Sequence, residues 1–227
     1  MDLKDKSLFK QKCFINGAWV NSKINNTFDI KNPSDLNIIG KMPNCSKEDT
    51  IDAIEAAYDA FNSWKNKTGK ERSFLIRRWH DLILENIDDL SLIMTLENGK
   101  PISDSRGEIN YASWFTDWFS EEAKRTYGKT IPSTVKGRRI LTIKQPVGVC
   151  GIITPWNFPA AMITRKVAPA LAAGCSVVIK PPATTPFTAS ALVEIANRAG
   201  IPKGLINLIT VSEKDVSDVG DELCTNK

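Results

Sequence analysis

The chain has 227 residues, 42% hydrophobic and 25% charged, and carries 30 Lys plus Arg against 26 Asp plus Glu for a net charge of +4. The charges are mixed along the chain without a basic block, which argues against nucleic acid as a partner. No apolar run reaches the roughly 18 residues that a membrane helix needs. The N-terminal MDLKDKSLFKQK is charged and has no apolar core, so it does not read as a signal peptide. Cys13, Cys45, Cys150, Cys175 and Cys224 are scattered and form no CxxC pair. Neither a zinc site nor a disulfide framework is therefore expected, and reduced thiols in a cytoplasmic protein are. His80, the one histidine, sits in the helical stretch RRWHDLILEN and reads as a structural or surface residue.

Residues 12–20 read as a strand entering a turn at Asn16-Gly17. Residues 26–42 alternate with a break at Asn32-Pro33 and suggest a further strand pair. Ser46 opens a helix with acidic residues in its first turn. Ile51, Ile54, Ala57, Tyr58 and Phe61 follow at helical spacing, and the helix should end near 67–69. Helices are then expected over about 69–86, 87–98 and 102–125. The first should bury a stripe of Phe74, Leu75, Arg78, Leu82 and Ile83. The second stops at Asn98-Gly99-Lys100-Pro101. The third is expected to pack its rings, Tyr111, Trp114, Phe115, Trp118 and Phe119, on neighbouring helices. The texture changes after Gly128. Strands are expected at 138–145, 147–153, 175–180 and 205–210, and helices at 159–173, 186–199 and 213–224. The last three strands are continuous apolar runs separated by helices, the pattern of a parallel α/β sheet. The expected architecture is α/β: an N-terminal segment of strands and helices over 1–128, a β arm over 129–146, and a Rossmann-like parallel βαβαβ cofactor unit over 147–227.

Ligands of open α/β sheets sit at the carboxyl ends of the strands. That directs attention to Ile153-Thr154-Pro155-Trp156-Asn157-Phe158-Pro159, between a strand and a helix. Asn157 offers a neutral amide donor suited to an oxygen that becomes negative; equally, an Asn here is an ordinary cap or turn former. Lys180 ends the next strand, before Pro181 and Pro182. It either reaches ribose hydroxyls or phosphate, or is a solvated strand-end lysine. Arg165 either faces solvent or clamps a substrate carboxylate. No GxGxxG or GxxxxGK[ST] pattern is present.

The segment 146–210 carries WNFP, PALAAGC, KP and GxPxGxxN in order, and FINGAWV, KNPSD, ENGKP and GKTIP precede it. On these motifs nearly the whole chain resembles the aldehyde dehydrogenase superfamily, and PWNFPAAMITRKVAPALAAGC is similar to succinate-semialdehyde dehydrogenases. The resemblance implies an NAD(P)+-dependent oxidation of a small aldehyde, succinate semialdehyde to succinate, in homo-oligomers with no bound metal. It implies that Asn157 is the side-chain donor of the oxyanion hole. Ile153, Thr154, Pro155, Trp156 and Asn157 would line the nicotinamide end of the cofactor. Lys180, followed by Pro181, Pro182 and Ala183, would bind the adenosine ribose, and Arg165 the carboxylate tail. NAD-preferring relatives often carry Glu where this chain has Ala183, which points to NADP+ and leaves NAD+ open.

The family's F-T-G-S loop, its general-base glutamate and its nucleophilic cysteine do not occur in these 227 residues. The aldehyde dehydrogenase fold is thus expected to be incomplete, with no catalytic domain. Cys150 and Cys175 read as core residues of strands. The chain alone is expected to be inactive. A non-catalytic fold remnant or assembly partner, and a dehydrogenase for another aldehyde, are the alternatives.

Overall fold

The computed structural model describes residues 2–226. Strands β1 (Cys13–Ile15) and β2 (Ala18–Val20) form a hairpin. Its turn places Asn16 and Gly17 at φ 51° and 79°, the left-handed pair that matches strand twist. A Cβ on Gly17 would also lie 2.5 Å from Lys203 Cβ. Strands β3 (Thr27–Lys31) and β4 (Ile38–Pro43) form a separate antiparallel pair.

Four helices follow: α1 (Lys47–Trp64), α2 (Gly69–Glu85), α3 (Ile87–Asn98) and α4 (Ile102–Glu122). The expected start at Ser46 is a complete capping box with Asp49, and Thr68 with Glu71 repeats the device before α2. Each such cap satisfies orphan amides and contributes about 1 kcal/mol.

The buried stripe of α2 keeps the expected Leu75, Leu82 and Ile83 on the core side but not Phe74 and Arg78, which are exposed. Ile76, Trp79 and Ile83 are buried, whereas Phe74 is 66% exposed. Trp79 fixes the phase, because its indole N–H donates to Leu192 O deep in the molecule. Helix α4 differs too. It buries Ile109, Ala112, Ser113, Thr116 and Ser120, a mostly small-residue face that lets neighbouring helices approach, and it leaves Trp114 and Trp118 each 65% exposed. Only Phe115 and Phe119 of its rings pack against the core. His80 is structural, its Nδ1 lying 2.9 Å from Ser113 O.

Strands β5 (Lys129–Ile131) and β6 (Ile140–Thr142) pair antiparallel, and all six residues are exposed. Then come β7 (Val149–Ile153), α5 (Ala161–Ala173), β8 (Ser176–Lys180), α6 (Pro186–Arg198), β9 (Ile206–Leu208) and α7 (Val216–Thr225). Strands β7, β8 and β9 are parallel and in register, as the apolar runs predict. The sheet is nevertheless mixed. Its order is β2-β1-β9-β8-β7, because β1 adds antiparallel to β9 through Phe14 and Leu208. Asn207 of β9 accepts from Asn16 N and donates to Gly204 O, tying the hairpin turn to β9.

Helices α1 and α7 cover one face of the sheet. Helices α5 and α6 cover the other, with α2 to α4 as a further layer outside them. Trp64 and Trp79, each 1% exposed, bond carbonyls of Leu171 and Leu192. Truncating either to Ala is expected to cost about 3–5 kcal/mol. No helix among the described residues is long and apolar enough to cross a membrane.

Candidate functional site

The carboxyl ends of β7, β8 and β9 open on one cleft of about 830 Å³. Trp156 reaches it from the loop after β7, Ala183, Thr184 and Thr185 from the loop after β8, and Ser212 and Asp215 from the segment after β9. The β3–β4 hairpin and Glu97-Asn98 close the opposite wall. A cleft at this edge is where open α/β sheets place their ligands.

Of the residues singled out by sequence, Trp156 and Ala183 line the cleft. Ile153 and Lys180 face each other in the β7–β8 register, and Thr154 N donates to Lys180 O at 3.2 Å. Lys180 is no solvated strand-end lysine. It is 7% exposed, and among the described residues Nζ has one partner, Pro181 O, at 3.3 Å. Burial lowers its pKa. Thr154 Oγ1 and Thr185 Oγ1 are buried with no hydrogen-bond partner among the described residues. A buried ammonium with one acceptor and two idle hydroxyls is costly unless something polar meets them.

Pro155 and Asn157 are exposed beside Trp156, and Pro181 and Pro182 stiffen the turn after Lys180. Arg165 lies exposed on α5, its guanidinium 5.2 Å from the centre of the Phe115 ring. Arg77, Arg106, Arg125 and Arg198 make the arginine–carboxylate ion pairs of the described residues, and Arg165 is in none of them.

Four residues that hold this site were given no site role from the sequence. Asn98 Nδ2 donates to Trp156 O at 2.8 Å, and Lys100 Nζ to Asn157 O at 3.1 Å. Between them Gly99 takes φ 84°, where a Cβ would lie 2.6 Å from Pro33 Cγ. Glu108, 4% exposed, accepts from Ala160 N and Ala161 N at the start of α5 and pairs with Lys100. Glu97 accepts from Phe187 N and Thr188 N, each at 2.7 Å, at the start of α6. Burial pushes its carboxyl up to about 8, against the opposing pull of those amides. Both crossover helices thus have their first amides taken up by glutamate side chains from α3 and α4. The sequence reads ENGKP as a helix stop and as one of the family motifs, and gives its residues no role at the site. Its further work depends on a fold that brings residues 97–108 against 156–188.

Parallel strands joined by helices, with ligand-ready groups at their carboxyl ends, define an α/β protein of the Rossmann-like class. The aldehyde dehydrogenase family model matches residues 19–227, and the chain belongs to that family. It is 51% identical over 226 residues to a glutarate-semialdehyde dehydrogenase of Pseudomonas aeruginosa, covering 100% of this chain and 46% of that one. It is 48% identical over 226 residues to an NADP(+) succinate-semialdehyde dehydrogenase of Escherichia coli, again covering 100% and 46%. The crystal structure of an NADP-dependent E. coli enzyme superposes with a TM-score of 0.97 at 48% identity, covering 99% of this chain and 46% of that one. The chain therefore spans a little under half the length of these relatives.

Proposed function

We propose that these residues form the cofactor side of an NADP+-dependent semialdehyde dehydrogenase whose substrate carries a terminal carboxylate, succinate semialdehyde in the first place. The observation that carries the reading is the group of under-satisfied donors, Lys180 Nζ with the Thr154 and Thr185 hydroxyls, at the carboxyl edge of the sheet. The dinucleotide, when bound, supplies the hydride acceptor. Lys180 donates to its ribose hydroxyls. Ala183, on the cleft wall, puts no carboxylate against a 2′-phosphate. Asn157 donates its amide to the carbonyl oxygen of the aldehyde, whose charge grows during reaction, and Arg165 pairs with the carboxylate tail. Glutarate semialdehyde differs by one methylene and suits the same arginine, and the 51% identity to a glutarate-semialdehyde dehydrogenase supports it as a second substrate. We further assign the exposed β5–β6 hairpin to contacts between subunits.

Calorimetric titration of residues 1–227 with NADP+ and NAD+ tests the reading. NADP+ is expected to bind the more tightly, and Lys180→Met to weaken it roughly tenfold, about 1.4 kcal/mol. The same change should leave the melting temperature level or higher, since it removes a buried, poorly paired ammonium. Binding of neither nucleotide, or an unaltered affinity in Lys180→Met, overturns it. No cysteine lines the cleft, so these residues assayed alone are expected to bind nucleotide without oxidising aldehyde.

A further inference from the structure

Two of the five cysteines meet in the core, and neither lines the cleft described above. Cys13 lies on β1, and Cys45 lies between β4 and the Ser46 cap of α1. Their Sγ atoms are 3.1 Å apart although 32 positions separate them in sequence. Both side chains are buried, at 0% and 3% exposure. The surroundings fix the approach from both sides. Thr210 Oγ1 lies 3.3 Å from Cys13 Sγ and donates to Pro43 O, while Cys45 N donates to Thr210 O at 2.8 Å. A disulfide needs its sulfurs at about 2.0 Å, so closure requires a movement of roughly one ångström, within the reach of side-chain adjustment.

We propose that Cys13 and Cys45 are a redox-active dithiol that closes to an intramolecular disulfide when the chain meets a hydroperoxide or a small-molecule disulfide. With hydrogen peroxide, one thiol gives up its proton and its sulfur attacks a peroxide oxygen; the O–O bond breaks and the departing hydroxide takes up that proton, giving a sulfenic acid and water. The second sulfur then displaces the sulfenic hydroxyl, which leaves as a second water after taking up a proton. The two thiols lose two electrons and two protons, and peroxide is reduced to two waters. The hydrogen bond between the sulfurs, then burial, raises the Cys45 pKa, so this thiol is inert while enclosed. Reaction is admitted by opening of the β1–β2 hairpin. That hairpin lies at the outer edge of the sheet; its ladder to β9 is the single pair Phe14–Leu208, supplemented by Asn16 N to Asn207 Oδ1 and Trp19 Nε1 to Glu194 Oε2. Such a thinly tied edge is the kind of segment that opens locally without global unfolding. The disulfide then ties that edge to the entrance of α1.

The test uses the whole chain carrying Cys224→Ser, which removes the exposed thiol on α7 and leaves four of the five. The folded protein is treated with hydrogen peroxide, quenched, denatured, alkylated and digested with trypsin. A joined species of peptides 13–23 and 42–47 is expected, with two alkylatable thiols remaining instead of four and full recovery on reduction. Cys13→Ser in the same background should leave Cys45 fully alkylatable. Four free thiols after a treatment that oxidises the exposed Cys224 of the unmodified chain would overturn the proposal. So would a joined peptide pair linking Cys150 to Cys175 alone.

Discussion

The two loops at the carboxyl edge of the sheet are held in opposite ways. The loop after β7, with Trp156 and Asn157, is exposed, and side chains from the end of α3 and the turn before α4 grip its backbone carbonyls. The loop after β8 leaves a buried Lys180 and runs into α6, whose first amides are taken up by Glu97. In the first loop the side chains are left free and the backbone is fixed, which suits groups that must meet a substrate. In the second, the lysine is itself part of the interior, which suits a cofactor contact that also excludes water. Preorganisation comes from outside the loop in one case and from burial in the other.

Three changes break or sharpen this contrast. Glu108→Ala should have the largest effect. It removes the cap of α5 and leaves Lys100, 16% exposed at its side chain, without its carboxylate. A loss of about 3–5 kcal/mol is expected, read as a melting temperature lower by roughly 10 °C.

Glu97→Gln comes next and shows itself in pH dependence. The Glu97 carboxyl rises from an ordinary 4.5 to about 8 in the folded chain. Its contribution to stability is thus fully present below about pH 4.5 and is lost as pH climbs through about 8. The unmodified chain should lose on the order of a few kcal/mol across that window. The Gln variant should show a correspondingly flatter profile of urea midpoints. Equal slopes in both proteins would show that Glu97 is ionised throughout.

Asn98→Ala is the mildest. It removes one hydrogen bond to Trp156 O at an exposed site, worth about 0.5–1 kcal/mol. Hydrogen exchange should quicken at residues 155–160 and stay unchanged at 181–188. Equal quickening in both would show that the loops are not held independently.

The helix limits, the Ser46 cap and the three parallel strands were legible in the residues, because caps, breakers and apolar runs act over a few positions. Trp156, Asn157, Lys180 and Arg165 drew attention from strand-end logic and family likeness together. Neither source shows that Lys180 is buried with one weak partner, since burial depends on what lies above the sheet. The stripe of α2 differs from the sequence pattern at Phe74, because Phe74 and Trp79 are equally apolar in sequence. Only the seat of Trp79 against Leu192 O decides which one turns inward. The same holds for Trp114 and Trp118, exposed on a helix whose inner face is made of small residues.

By itself, then, the sequence determined the order of strands and helices, their parallel core and the family, because these follow from local chemistry and from motifs of fixed spacing. The tertiary structure alone decided that β1 joins β9, that Glu97 and Glu108 cap helices about 90 and 50 positions away, and that Cys13 meets Cys45. Each of these joins distant segments, and such contacts leave no periodic trace in the chain.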